Sequence, residues 1–229
     1  MNNEFNHYAK KHLGIHDSII HGYQSLRAEL PMVIEASVTP TIIEERKLNV
    51  VAMSVFDRLM MDRILWVAGP VDDRMSIIVQ AQLLFLSDQD PKKAITMHID
   101  SPGGSVKAGL SMVDSMELCK APIQTINTGM AASMGSVLLG AGTKGMRSSL
   151  RHSRTMLHQS SGGVQGNIQD AEITWKEWKK VNKELFVLLG EYSGKSWEEV
   201  ANDASRDLWL NAEEAVTYGI IDEVIRPTK

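Results

Sequence analysis

The spacing of apolar residues changes period along this chain. Ile64-Leu65-Trp66-Val67-Ala68 is an unbroken apolar run closed by Gly69-Pro70, the signature of a buried strand ending in a turn. Behind Asp72 and Asp73, the residues Met75, Ile78, Val79, Gln82, Leu83 and Leu86 recur at steps of three and four, which predicts a helix begun by an acidic cap. The same reading gives a short helix over 53–61, strands over 94–99 and 123–127, a helix over Val106–Leu118, a small-residue helix over 132–139 and a strand over 155–158. Ser160-Ser161-Gly162-Gly163 then breaks the pattern. Ser196-x-x-Glu199 and Asn211-x-x-Glu214 each open a late helix, the first as a capping box and the second as its Asn analogue, and 220–225 reads as a last strand. Strands separated by helices mean stacked βαβ units, hence an α/β fold with a largely parallel sheet.

One segment keeps a different rhythm. Ile168, Ala171, Trp175, Trp178, Asn182, Leu185 and Leu189 form a heptad seam, with Lys176, Glu177, Lys179, Lys180, Lys183 and Glu184 on the other faces. Such a helix packs either on its own domain or against another subunit. Two Trp on the seam favour the interface, where Asn182 would help to fix register.

Composition narrows the classes of function. The chain has 229 residues and a net charge of −4, with 43% hydrophobic and 23% charged residues, which is ordinary for a globular protein and excludes disorder as the main state. A pI near 6.0 argues against nonspecific nucleic-acid binding. No run reaches the ~18 apolar residues of a membrane span, and the first residues lack the basic and apolar regions of a secretion signal. Cys119 has no cysteine to pair with, which fits a reducing compartment, so the expected location is cytoplasmic. His12 and His16 share a helical spacing, but no carboxylate or thiol cluster supports them, and no metal is expected. The 13 Met and 5 Trp against 4 Phe and 4 Tyr hint at an assembling surface, although an ordinary core accounts for them equally.

The candidate chemistry gathers at strand ends. Ser133, in Gly129-Met130-Ala131-Ala132-Ser133-Met134-Gly135, stands between an apolar strand and a small-residue helix. A serine there is presented at the carboxyl edge of the sheet beside free helix N–H groups. The stretch has Ala131 where a Gly-x-Ser-x-Gly elbow has its first glycine, so both nucleophile and capping serine stay open. Gly103-Gly104 offers backbone N–H groups to an anion or is a plain turn, and it has neither the Lys-Ser/Thr of a P-loop nor a dinucleotide spacing. A serine hydroxyl attacks only when a neutral imidazole takes its proton, and a carboxylate then steadies that imidazole. His158 and Asp207 are candidates for these two parts.

Five stretches carry a resemblance across residues 30–225: 30–35, Ser101-Pro102-Gly103-Gly104-Ser105-Val106, 129–135, 152–159 (ending Met156-Leu157-His158-Gln159) and 213–222. They resemble the proteolytic subunits of the Clp (caseinolytic) protease family. The resemblance implies a serine endopeptidase with Ser133 as nucleophile, His158 as base, Asp207 as orienting acid, and the N–H groups of Gly104 and Met134 as oxyanion hole. It implies a crotonase-like fold with a protruding handle helix at about 168–192, in two stacked heptameric rings that enclose the active sites. Gly162, Gly163 and Val164 would pair with unfolded polypeptide by β-augmentation. An AAA+ unfoldase would dock and feed the chamber. No Walker motif occurs, so no cofactor is expected in this chain and ATP would belong to that partner. The implied organisation is an N-terminal extension or propeptide over 1–30, an axial-loop region over 31–52 and the catalytic domain over 53–229.

Departures from the family pattern set further expectations. His98 and Asp100 stand where Tyr and Asn are usual, which puts ATPase docking in doubt. Ser160 replaces the usual Pro and should loosen the turn after His158. A noncatalytic scaffold subunit of a mixed ring and a crotonase-type acyl-CoA enzyme are the alternative readings.

Overall fold

The computed structural model describes residues 41–46, 49–163 and 166–226. The chain divides into two units, Met1–Val55 and Phe56–Lys229. In the first, β1 (Thr41–Arg46) pairs antiparallel with β2 (Asn49–Ser54), from Thr41 opposite Ser54 to Arg46 opposite Asn49. The hairpin replaces the first two residues of the helix expected over 53–61, and α1 is Val55–Met61. The expected N-terminal extension over 1–30 and much of the axial-loop region over 31–52 lie outside the described residues.

The larger unit is built on a seven-stranded sheet in the order β3 (Ile64–Ala68), β4 (Ile95–Ser101), β5 (Ile123–Ala132), β6 (Arg147–Leu150), β9 (Glu223–Ile225). β7 (Arg154–Leu157) pairs with the far half of β5 and with β8 (Leu208–Leu210), and only the β7–β8 pairing is antiparallel. This is the expected α/β architecture. The helices follow the strands: α2 (Asp73–Gln89), α3 (Val106–Leu118), α4 (Met134–Gly140), α5 (Ile168–Ser193), α6 (Trp197–Asp203) and α7 (Ala212–Tyr218). Asp72 caps α2 through Met75 N, and both late helices begin with complete capping boxes. Leu65, Val67, Met97, Ile99, Leu83, Leu86 and Met112 fill the space between the sheet and its helices.

Two local irregularities aim the chain at the site. β5 runs five residues beyond the expected end at Asn127 because it carries a bulge: Ile99 faces Asn127 but Ser101 faces Ala131. The extra residues find partners for their polar groups, with Thr128 Oγ1 donating to Ile99 O (3.2 Å) and Met130 N to Asp100 Oδ1 (3.0 Å). The bulge lets β5 pair with β6 in its first half and with β7 in its second.

α5 enters the core at one end only. Leu185, Phe186, Leu189 and Gly190 are buried against the body, whereas Ile168 and Ile173 near its start are exposed. The heptad seam therefore divides: its last turns belong to the core and its first turns stand clear, as a handle would.

Candidate active site

Ser133 ends β5 at the step into α4, where φ is 54° and ψ is −120°. It is one of two non-glycine residues with positive φ among those described, the other being Arg63. Such a conformation costs of order 1–3 kcal/mol and persists only where neighbours impose it. Here Ser133 N donates to Met156 O at 2.9 Å, and Ser136 N and Oγ both donate to Ser133 O. Although Ser133 holds the N-cap position, its side chain makes no capping hydrogen bond. The hydroxyl is therefore not used to finish the helix. The helix itself starts at Met134, two residues later than the periodicity suggested, because Ala132 still belongs to the strand.

The glycine pair lies against this turn. A Cβ on Gly103 would stand 2.6 Å from Ser133 Cβ and 2.9 Å from Met134 N, and Gly103 has φ +91°. Gly104 has φ +151°, and a Cβ there would collide with Val71 O. Val71 N donates to Gly103 O and Ser105 N to Val71 O, a parallel bridge that turns the N–H of Gly104 away from Val71. Gly103 N is taken up by Ser101 Oγ (3.1 Å). The N–H groups of Gly104 and Met134 have no acceptor among the described residues. Two free donors beside a serine hydroxyl are what an oxyanion needs.

His158 follows β7 directly. Since Ala132 is paired with Met156, Ser133 and His158 leave adjacent parallel strands at the same edge. Asp207 immediately precedes β8, the other neighbour of β7. His158 Nδ1 meets Asp207 Oδ1 at 3.2 Å, an arrangement that puts the ring proton on Nδ1 and leaves the Nε2 lone pair free. The His158 side chain is mostly covered, and Asp207 is exposed. Ser133 Oγ and His158 form no hydrogen bond in this structure, a link that such sites commonly tighten only with substrate bound.

The segment after His158 departs from expectation. Ser160 does not loosen the turn: its N–H and hydroxyl both donate to Asn182 Oδ1 at 2.8 Å, and Trp178 Nε1 donates to Ser160 Oγ at 2.6 Å. The Asn182 amide oxygen is thereby engaged within its own chain. Gly162 and Gly163 are exposed and irregular, and Val164 lies outside the described residues. A groove of about 410 Å³ opens here between the 160–163 segment, Val106 and the α5 residues Trp178 and Val181. Sequence reasoning missed the Ser160 tie, for which the only signal was a lone Asn on an otherwise apolar seam. Elsewhere, His98 stacks on Trp66 at 4.7 Å, and burial pushes its pKa below the usual histidine value.

A model of the family described as Clp protease matches residues 46–228. The chain belongs to the Clp protease family. Among curated relatives, it is 46% identical to a protein of Porphyromonas gingivalis (strain ATCC BAA-308 / W83) over 227 residues, 99% of each chain. It is 47% identical to one of Bacteroides fragilis (strain YCH46) over 222 residues, 97% of this chain and 98% of that one. A second B. fragilis protein, from strain ATCC 25285, is 52% identical over 188 residues, 82% of this chain and 91% of its own. All three are named "ATP-dependent Clp protease proteolytic subunit". This Clp-family chain is a serine peptidase, and neither the scaffold nor the acyl-CoA reading is favoured. Among the described residues no helix is long and apolar enough to cross a membrane.

Proposed function

We propose that this chain cleaves unfolded polypeptides with Ser133 as nucleophile, His158 as general base and Asp207 as the carboxylate that orients it. Ser133 Oγ attacks the peptide carbonyl while His158 Nε2 takes its proton, and the C=O π electrons move onto the oxygen. The N–H groups of Gly104 and Met134 stabilise that oxyanion. Collapse breaks the C–N bond, the leaving amine takes the proton from His158, and an acyl-serine remains. Water, deprotonated by the same imidazole, then releases the acid product and regenerates Ser133. The observation that carries the reading is the strained, uncapped Ser133 beside the His158–Asp207 pair. Substrate lies along Gly162, Gly163 and Val164 in extended form, held mainly by main-chain hydrogen bonds, which makes cleavage tolerant of sequence.

The chain works as two stacked heptameric rings in the cytoplasm, fed by an AAA+ unfoldase. The relatives' names specify ATP dependence, while this sequence has no nucleotide motif of its own, so the ATPase is the partner and this chain needs no cofactor. The test is Ser133→Ala in the full chain. Peptide hydrolysis and labelling by a serine-directed fluorophosphonate are both expected to disappear, and retained labelling overturns the assignment.

A further inference from the structure

The main chain that carries His158 is tied down on two flanks. On the Asp207 side, Gln159 N donates to Ala204 O at 3.1 Å and Gln159 Nε2 to Ser205 O at 3.4 Å. On the opposite flank the ties come from α5, through Asn182 and Trp178 to Ser160. The roles in this second set are fixed by chemistry. A backbone N–H can only donate, so the N–H of Ser160 requires the amide oxygen of Asn182 to face it. The hydroxyl gives its single proton to that same oxygen and accepts from Trp178 Nε1, an indole N–H with no other role open to it. The hydroxyl thus donates once and accepts once, and the amide oxygen takes two donors. A proline at 160 could make neither of the two donations.

Trp178 also sets the adjoining wall. Its ring lies so close to Gly162 that a Cβ there would stand 2.6 Å from Cη2. The indole thus packs on the main chain just beyond the tie, at the margin of the groove bounded by Val106, Gly162, Gly163 and Val181. No residue of α5 before Leu185 is fully buried, and Trp178 and Asn182 are partly so. The middle of the handle therefore meets the body chiefly through this polar set, two residues from the imidazole.

We propose that Ser160, Asn182 and Trp178 form a latch through which the handle helix positions His158. They are positioning residues: none touches the reacting atoms, and each acts through the backbone of 158–160. The proposal rests on the reading of His158 as the general base. The absence of a Ser133–His158 hydrogen bond in this chain makes the position of that backbone consequential, since a displacement of ~1 Å at a catalytic group can cost ~10²-fold in rate.

The experiment compares Asn182→Leu, Asn182→Asp and Trp178→Phe in the full chain, each taken from the fraction that elutes at the parent's volume. Two readouts are used: the kcat and KM split on a short fluorogenic peptide, and the rate of fluorophosphonate labelling. Asn182→Leu is expected to lower both kcat and labelling rate by about tenfold with KM little changed, the loss that about 1.4 kcal/mol brings. Asn182→Asp keeps an acceptor oxygen and is expected to restore both to within about twofold of the parent. Trp178→Phe keeps the ring against Gly162 but lacks the N–H, so it is expected to lower the same two quantities by about threefold. Should Asn182→Leu not assemble, Trp178→Phe alone decides the matter. Parental labelling rates, or a change confined to KM, overturn the latch. Ser133→Ala in the same series keeps the two readings apart: labelling that survives it overturns the nucleophile, whereas a silent Ser133→Ala beside unaffected latch variants overturns the latch alone.

Discussion

Ser133 is held in an unfavourable conformation by its surroundings, and its hydroxyl is left unspent by them. The value of that arrangement depends on the lone pair at His158 Nε2, and the Asp207 carboxylate, facing Nδ1, favours the tautomer that presents it. Asp207→Asn would offer Nδ1 an amide N–H and move the ring proton to Nε2, so kcat should fall by ~10³–10⁴ while the protein stays folded. Unchanged kcat would remove Asp207 from the account. His98 supports a separate prediction. Half-buried against Trp66, with Nδ1 unpartnered among the described residues, it is held below its ordinary pKa of 6.5 by burial. Below that pH the unfolded chain binds more protons at this site than the folded one, so stability should decline as pH falls. His98→Phe keeps an aromatic stack and should lessen the drop in urea midpoint between about pH 7.5 and pH 5. An identical drop in both proteins would contradict it.

At the scale of elements, Arg63 shows how one side chain can close a junction. Buried at the entrance to β3, it donates to the carbonyls of Leu86, Asp90, Lys93 and Ala94, the end of α2 and the turn into β4. Arg63→Ala should destabilise the fold by about 3 kcal/mol, read from urea unfolding, because four carbonyls lose a charged donor at once. The βαβ succession was legible because β3, β4, α2 and α3 have strong apolar periods and clear caps. β6 was not, since its residues are Arg-Ser-Ser-Leu, and the first three are buried only because Arg147, Ser148 and Ser149 find hydrogen bonds inside. The continuation of β5 past Asn127 was also hidden: Thr128-Gly129-Met130 stays in the strand only because Ile99 and Asp100 satisfy its bulge from the neighbouring strand. At the candidate site, Ser133, His158, Asp207 and the glycine pair stood out in the sequence only as candidates, and their proposed roles came from the family resemblance. The Asn182 tie was not legible, because it joins residues 22 positions apart and leaves no periodic trace.

For the whole molecule, part of the surplus of Met finds its place inside. Met97, Met112, Met116 and Met134 are core residues, and the Met134 side chain lies over Gly109. Part of the Trp surplus behaves differently: Trp175 stays half exposed on the clear part of α5, in edge contact with Trp178 at 5.6 Å. A helix presented in this way is consistent with the proposed double ring. Peptidase activity is then expected only in fractions much heavier than the 25.4 kDa chain, and activity confined to the monomer would contradict a compartment. The parent chain is labelled to completion with a fluorophosphonate, digested, and the adduct located by mass spectrometry. A single adduct per chain is expected, on Ser133. An adduct on any other serine, or full peptide hydrolysis with Ser133 unmodified, would contradict it.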